Sequence, residues 1–120
     1  MSSISPKMQN QIAQLQQMQQ QMQTIAAQKN QYEMAVREAR RATEELKEVP
    51  EENAVFMSVG SVMMQKKRED VLAKLNDKIE TLEIRIKSLE KQETMLQGKF
   101  EQLQAQIKQA LEGKSSPGAA

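Results

Sequence analysis

The chain has 120 residues, of which 38% are hydrophobic and 2% aromatic, with a net charge of +1 and neither cysteine nor histidine. Two Phe and one Tyr are thin material for a globular core, whereas the abundant Leu, Met, Ala, Gln, Glu and Lys are strong helix formers, so long helices and coiled coils are expected. Without Cys or His there is no disulfide, no thiolate or imidazole metal site and no common general base, so no cofactor is expected and enzymes are disfavoured as a class.

The balanced charge gives no global field drawing the chain to nucleic acid or anionic lipid. No apolar run reaches the roughly 18 residues of a membrane span, and the N-terminus has no apolar signal region. With cysteine absent, these features favour the cytoplasm.

Taken in order, residues 1–4 are expected to fray, and Ser5-Pro6 reads as an N-cap followed by proline at the first helical position. The first helix is predicted over about 5–49. Its apolar residues keep a 3,4 spacing through Met8, Leu15, Met18, Met22, Ile25, Tyr32, Val36, Ala39 and Leu46, interrupted by Gln11, Lys29 and Thr43. The stretch from Gln9 to Gln31 is glutamine-rich, but the seam running through it favours a helix over a low-complexity tract. Pro50 stops the helix, and Glu51-Glu52-Asn53 supplies a polar linker.

Val55 to Met64 is then an uncharged apolar run broken by Gly60. It is predicted to be a β-hairpin over about 54–65, with its turn near Val59-Gly60. Lys66-Lys67-Arg68, followed by Glu69-Asp70, reads as a solvated helix start rather than a nucleic-acid patch.

The second helix is predicted over about 67–112. Its seam is Leu72, Leu75, Ile79, Leu82, Ile86, Leu89, Leu96, Phe100, Leu103, Ile107 and Ala110, with Glu93 the polar intruder. Gly98 and Ile84 fall on the outward f position of the heptad. Gly113 is placed to end the helix in the left-handed conformation, leaving a disordered tail over 113–120.

The two helices are nearly equal in length and joined by a short link, so the fold class is mainly α: a long antiparallel two-helix coiled coil joined by a central β-hairpin. Facing a against d positions gives one register that pairs Val36 with Leu82, Ala39 with Ile79, Tyr32 with Ile86, Met22 with Leu96 and Leu15 with Leu103. In that register Lys29 and Glu93 bring charge into adjacent layers of the seam. A lone strand pair is marginal in water, and its open apolar edges must join other strands or aggregate. The chain is therefore expected to oligomerise through Val55, Phe56, Met57, Val59, Gly60, Val62, Met63 and Met64.

The hairpin wording from Val55 to Val62, the phrase from Thr81 to Glu93 and the helix–hairpin–helix order resemble the β-type subunits of prefoldin. Met63-Met64 departs from the β-branched, Leu-rich second strand expected of that family. The resemblance implies a hexamer of two α-type and four β-type subunits, whose hairpins form an intersubunit β-barrel and whose helices project as arms. It further implies a holdase without nucleotide, which takes up unfolded proteins near the arm ends and passes them to a group II chaperonin.

On that reading the client-binding candidates are Met8, Ile12, Leu15, Met18 and Met22 of the first helix and Leu96, Phe100, Leu103, Ile107 and Leu111 of the second. Ile12 and Leu111 lie beside the seam at e positions and are expected to be the exposed members. Methionine is flexible and polarizable, which suits contact with many apolar shapes. A structural coiled-coil scaffold or tether explains the seams equally well but gives no reason for an apolar hairpin between them.

Overall fold

The computed structural model describes residues 4–115. In chain order it has α1 (Pro6–Glu48), β1 (Val55–Val59), β2 (Val62–Lys66) and α2 (Arg68–Ser115). The helical fold with one small antiparallel hairpin is the one expected from the residue pattern.

Ser5 caps α1: its Oγ accepts the Met8 N–H at 3.1 Å, and its carbonyl accepts the Gln9 N–H at 2.9 Å. The hydroxyl thus satisfies one of the first-turn donors that a helix leaves without an intrahelical partner, while the carbonyl takes the first bond of the helix itself. At the other end α1 stops at Glu48, one residue short of the predicted Val49, because Pro50 pushes the residue before it out of the α region. The Val49 N–H closes a last turn on the Leu46 carbonyl at 3.3 Å. In α2 the Lys67 carbonyl accepts the N–H groups of Asp70 and Val71, both at 3.1 Å, and Glu69 and Asp70 place negative charge at the positive end of the helix dipole.

The end of α2 differs from expectation. The helix runs through Gly113 to Ser115, and Gly60 is the one described residue with positive φ. A left-handed glycine cap is usually secured by an apolar contact from the residue after it, and that residue is the polar Lys114. Gly113 thus permits a stop without enforcing one. Residues 113–115 of the predicted tail are therefore helical, and its remainder, residues 116–120, lies outside the described residues, as do residues 1–3 of the 1–4 segment expected to fray.

The chain divides into two compact units, with the boundaries after Gln28 and after Ser88. The unit from Lys29 to Ser88 holds the later part of α1, the hairpin and the earlier part of α2. Its core is Val36, Ala39, Ile79 and Leu82, with Tyr32, Ala35, Leu75 and Ile86 packed against it. Contacts descend in α2 as they rise in α1, from Arg85 over the Tyr32 ring, through Arg40 with Glu83, to Arg68 with Val49, so the helices are antiparallel here. Thr43 is also buried on this seam, its Oγ1 donating to the Ala39 carbonyl at 2.9 Å. A polar residue is tolerated there because it is satisfied within its own helix.

The other unit joins the start of α1 to the end of α2 and buries Met8, Ile25, Leu89, Leu103 and Ile107. All nine buried hydrophobic side chains among the described residues lie on the two predicted seams. Lys29 and Glu93, the charged intruders, are half-buried and each has a polar or electrostatic partner.

In the hairpin, Val55 pairs with Lys66, Met57 with Met64 and Val59 with Val62. The turn is therefore Gly60-Ser61, displaced toward the C-terminus from the predicted Val59-Gly60. The displacement follows from unequal connections: six residues separate α1 from β1, whereas Lys67 alone separates β2 from α2. Gly60 has φ 61° and Ser61 is not positive, the pattern of a type II′ turn, whose first central position favours glycine.

Candidate functional site

Strand alternation sends Val55, Met57 and Val59 to one face of the hairpin with Val62 and Met64, and Phe56 and Ser58 to the other with Met63 and Gln65. Both faces thus carry apolar side chains. In the single chain Val55 and Met57 are half-buried, whereas Phe56 is 55% exposed, Met63 68% exposed, and Val59, Val62 and Met64 are also exposed. A strand pair apolar on two faces belongs inside a larger sheet assembly. Full burial of one such side chain contributes about 1.5–3 kcal/mol, so covering the remaining exposed half of these five contributes roughly 4–8 kcal/mol. That is comparable to the lower range of the entropic cost of association, roughly 4–15 kcal/mol.

The base of the hairpin is tied by Arg68, which the charge pattern alone places in a solvated cluster. Its guanidinium Nη2 donates to the Val49 carbonyl and, at 2.7 Å, to the Pro50 carbonyl. The Val49 carbonyl is an acceptor left over at the C-terminal end of α1, and the Pro50 carbonyl follows it in the linker. A cation is unfavourable at the start of its own helix and favourable at the end of another, so Arg68 serves α1 rather than α2. Asn53 closes a turn on the same linker, its N–H donating to the Pro50 carbonyl at 3.0 Å. Arginine spacing alone could not reveal this contact, because the partners are backbone groups 18 and 19 residues away.

The other candidate surface lies in the unit formed by the chain's two outer segments. Met8, Leu103 and Ile107 are buried there, and Leu15, Met18, Met22, Leu96 and Phe100 are half-buried. These residues form the seam. Leu111 is 49% exposed, but Ile12 is half-buried, so the two e-position residues differ in exposure. Met95, 62% exposed, is a large apolar side chain not singled out by the seam pattern; its place off the seam, at a c position, was the available signal. Outside this unit, Met34 and Ile84 occupy outward f positions and are exposed as that position predicts.

Among the described residues no helix is long and apolar enough to cross a membrane. Two long helices with apolar seams, joined by a hairpin that is apolar on both faces, define a helix–hairpin–helix subunit made to associate. Residues 9–114 match the family model for "Prefoldin subunit". The chain is 69% identical over 117 residues to the prefoldin subunit beta of Methanosphaerula palustris, covering 98% of this chain and 97% of that one. With the prefoldin subunit beta of Methanospirillum hungatei it shares 62% identity over 119 residues, 99% of each chain. The crystal structure of the prefoldin beta subunit from Thermococcus strain KS-1 superimposes with a TM-score of 0.84 at 37% identity, covering 92% of this chain and 97% of that one. The chain belongs to the prefoldin family and is a chaperone subunit with the β-type fold.

Proposed function

We propose that this chain is a β-type subunit of a cytoplasmic hexamer of two α-type and four β-type chains, which holds unfolded proteins without nucleotide and delivers them to a group II chaperonin. The hairpins join into an intersubunit β-barrel, and the outer segments of α1 and α2 carry the client contacts. The observation that supports assembly is the exposure of Phe56, Val59, Val62, Met63 and Met64 on a two-stranded sheet whose edges are open. Five exposed apolar side chains on so small a sheet are an aggregation hazard unless other strands cover them.

Client holding needs many weak contacts. A micromolar complex requires about 8 kcal/mol net, and a single exposed Leu111 supplies at most a fraction of it. Several arms acting together reach that value by avidity and release a client one contact at a time.

The mass of the complex with and without an α-type partner, together with light scattering from a chemically unfolded client, tests the proposal. A hexamer that forms with the partner and suppresses scattering is expected. No suppression in the partner's presence would favour a passive coiled-coil scaffold. Polar replacement of Leu111 and Ile12 is expected to reduce suppression while the hexamer mass stays unchanged, with Leu111 the stronger of the two because it is the more exposed.

A further inference from the structure

Three of the ten strand residues are methionine, Met57 in β1 and Met63-Met64 in β2, against six in the remaining 110 residues of the chain. Strands ordinarily take β-branched and aromatic residues, which give apolar cover and pack well on a pleated surface. A thioether adds something those residues lack, a soft sulfur that a peroxide oxidises. With no cysteine present, methionine carries all the sulfur chemistry of the chain.

The placement of these sulfurs matters as much as their number. Met64 lies directly opposite Met57 on one face of the hairpin, and Met63 projects to the other face. Whichever face turns inward when strands of other subunits cover the sheet, an oxidisable side chain is on it. Met63 is the most exposed of the described methionines and Met64 is exposed beside it, whereas Met57 is half-buried and Met8 is buried. Met34 and Met95 are also exposed, but they stand on the helices, outside the strands. Assembly through the hairpin therefore covers one set of exposed sulfurs and leaves a reference set.

We propose that Met63 and Met64 form a redox-sensitive modification site, at which a peroxide oxidises the unassembled subunit and bars it from the complex until the sulfoxides are reduced. In the step a sulfur lone pair attacks one peroxide oxygen, the S–O bond forms as the O–O bond breaks, and the other oxygen leaves as water. Sulfur is oxidised by two electrons and the peroxide is reduced. The product is a polar sulfoxide that accepts hydrogen bonds and donates none, on a side chain that was apolar. Between packed strands it meets no free donor, because the main-chain N–H groups there are engaged in the sheet ladder. Oxidation at both positions puts one such group on each face. Each buried, unsatisfied acceptor weakens assembly by about tenfold or more. Once the hairpin is covered, the same burial shields the sulfurs, so the gate acts on free subunits and spares assembled ones.

The gate rests on the assembly proposed above, and the test separates the two. Purified chain is treated with hydrogen peroxide, freed of it and mixed with untreated α-type partner. The mass of the complex and the concentration for half assembly are measured, while peptide mapping follows oxygen uptake at each methionine. Untreated chain that forms no complex overturns the assembly reading, and the gate falls with it. Where untreated chain assembles, treated chain is expected to show uptake at Met63 and Met64 comparable to that at Met95, and a rise of about tenfold or more in the concentration for half assembly. Peroxide added after assembly is expected to oxidise Met63 and Met64 several-fold more slowly than Met34 and Met95. The double variant Met63→Leu, Met64→Leu keeps volume and apolarity and is expected to assemble alike before and after treatment. Reduction of the treated wild-type chain by methionine sulfoxide reductases with a dithiol is expected to restore assembly, a measurement that stands even where the variant does not assemble. The gate alone is overturned by treated chain that assembles as untreated chain does, or by a leucine variant that peroxide impairs as much as the wild type. Equal uptake at Met63, Met64 and Met95 within the complex, or no recovery after reduction, overturns it as well.

Discussion

Replacing Arg68 by Met removes a side chain that bridges the end of α1 to the start of α2 at the base of the hairpin. Methionine keeps the length of the aliphatic stem and is a good helix former, so the change is confined to the donors and the charge. A hydrogen bond from a charged group contributes about 1.5–3 kcal/mol, and one guanidinium nitrogen makes two here. Arg68 is only half-buried and Pro50 is exposed, so water recovers part of the loss. A net destabilisation of about 1.5–2 kcal/mol is expected, roughly a tenfold to thirtyfold change in a local opening equilibrium.

The loss should be local. The β2–α2 connection is the single residue Lys67, whereas β1 hangs on the six-residue linker whose first two carbonyls Arg68 holds. Amide hydrogen exchange on the purified chain is the assay, following Val55–Val59 and the last turn of α1 against amides near Ile79 and Leu82 as an internal reference. About tenfold or greater loss of protection in the first group, with the reference unchanged, is expected. Unchanged protection at β1, or an equal loss throughout the chain, would refute the assignment of Arg68 as a local tie.

Three further outcomes follow from the packing. Ser5→Ala removes the acceptor for the Met8 N–H and is expected to destabilise the start of α1 by about 1 kcal/mol, read as faster exchange of the first-turn amides. Leu82→Ala opens the small core shared with Val36, Ala39 and Ile79 and is expected to cost about 2–5 kcal/mol, lowering the midpoint of denaturant unfolding; a shift as small as that of a surface substitution would contradict the cluster. Thr43→Val keeps the buried branched shape and strips a hydroxyl that serves only the Ala39 carbonyl, so thermal unfolding is expected to be unchanged or slightly raised, and a large drop would show that the hydroxyl has another partner.

Much of the fold was legible because it is written in short periods. The 3,4 spacing named every buried hydrophobic residue among the described residues, Ser5-Pro6 marked the helix start, and Pro50 marked its stop within one residue. The candidate interaction surfaces were less legible. The apolar hairpin was plain from its uncharged run, but the seam pattern does not separate a half-buried Ile12 from an exposed Leu111, both at e positions. It also passes over Met95, whose exposure comes from lying off the seam.

By itself the sequence determined the two seams, the Ser5 cap at the start of α1 and an apolar hairpin reversing at a glycine, since each depends on neighbours a few residues away along the chain. Tertiary structure decided that the turn falls at Gly60-Ser61, that α2 continues through Gly113, and that Arg68 serves α1 rather than solvent. Those outcomes depend on how unequal connectors place one helix end against the other. Local periodicity contains no information about a guanidinium that meets carbonyl groups 18 and 19 residues back.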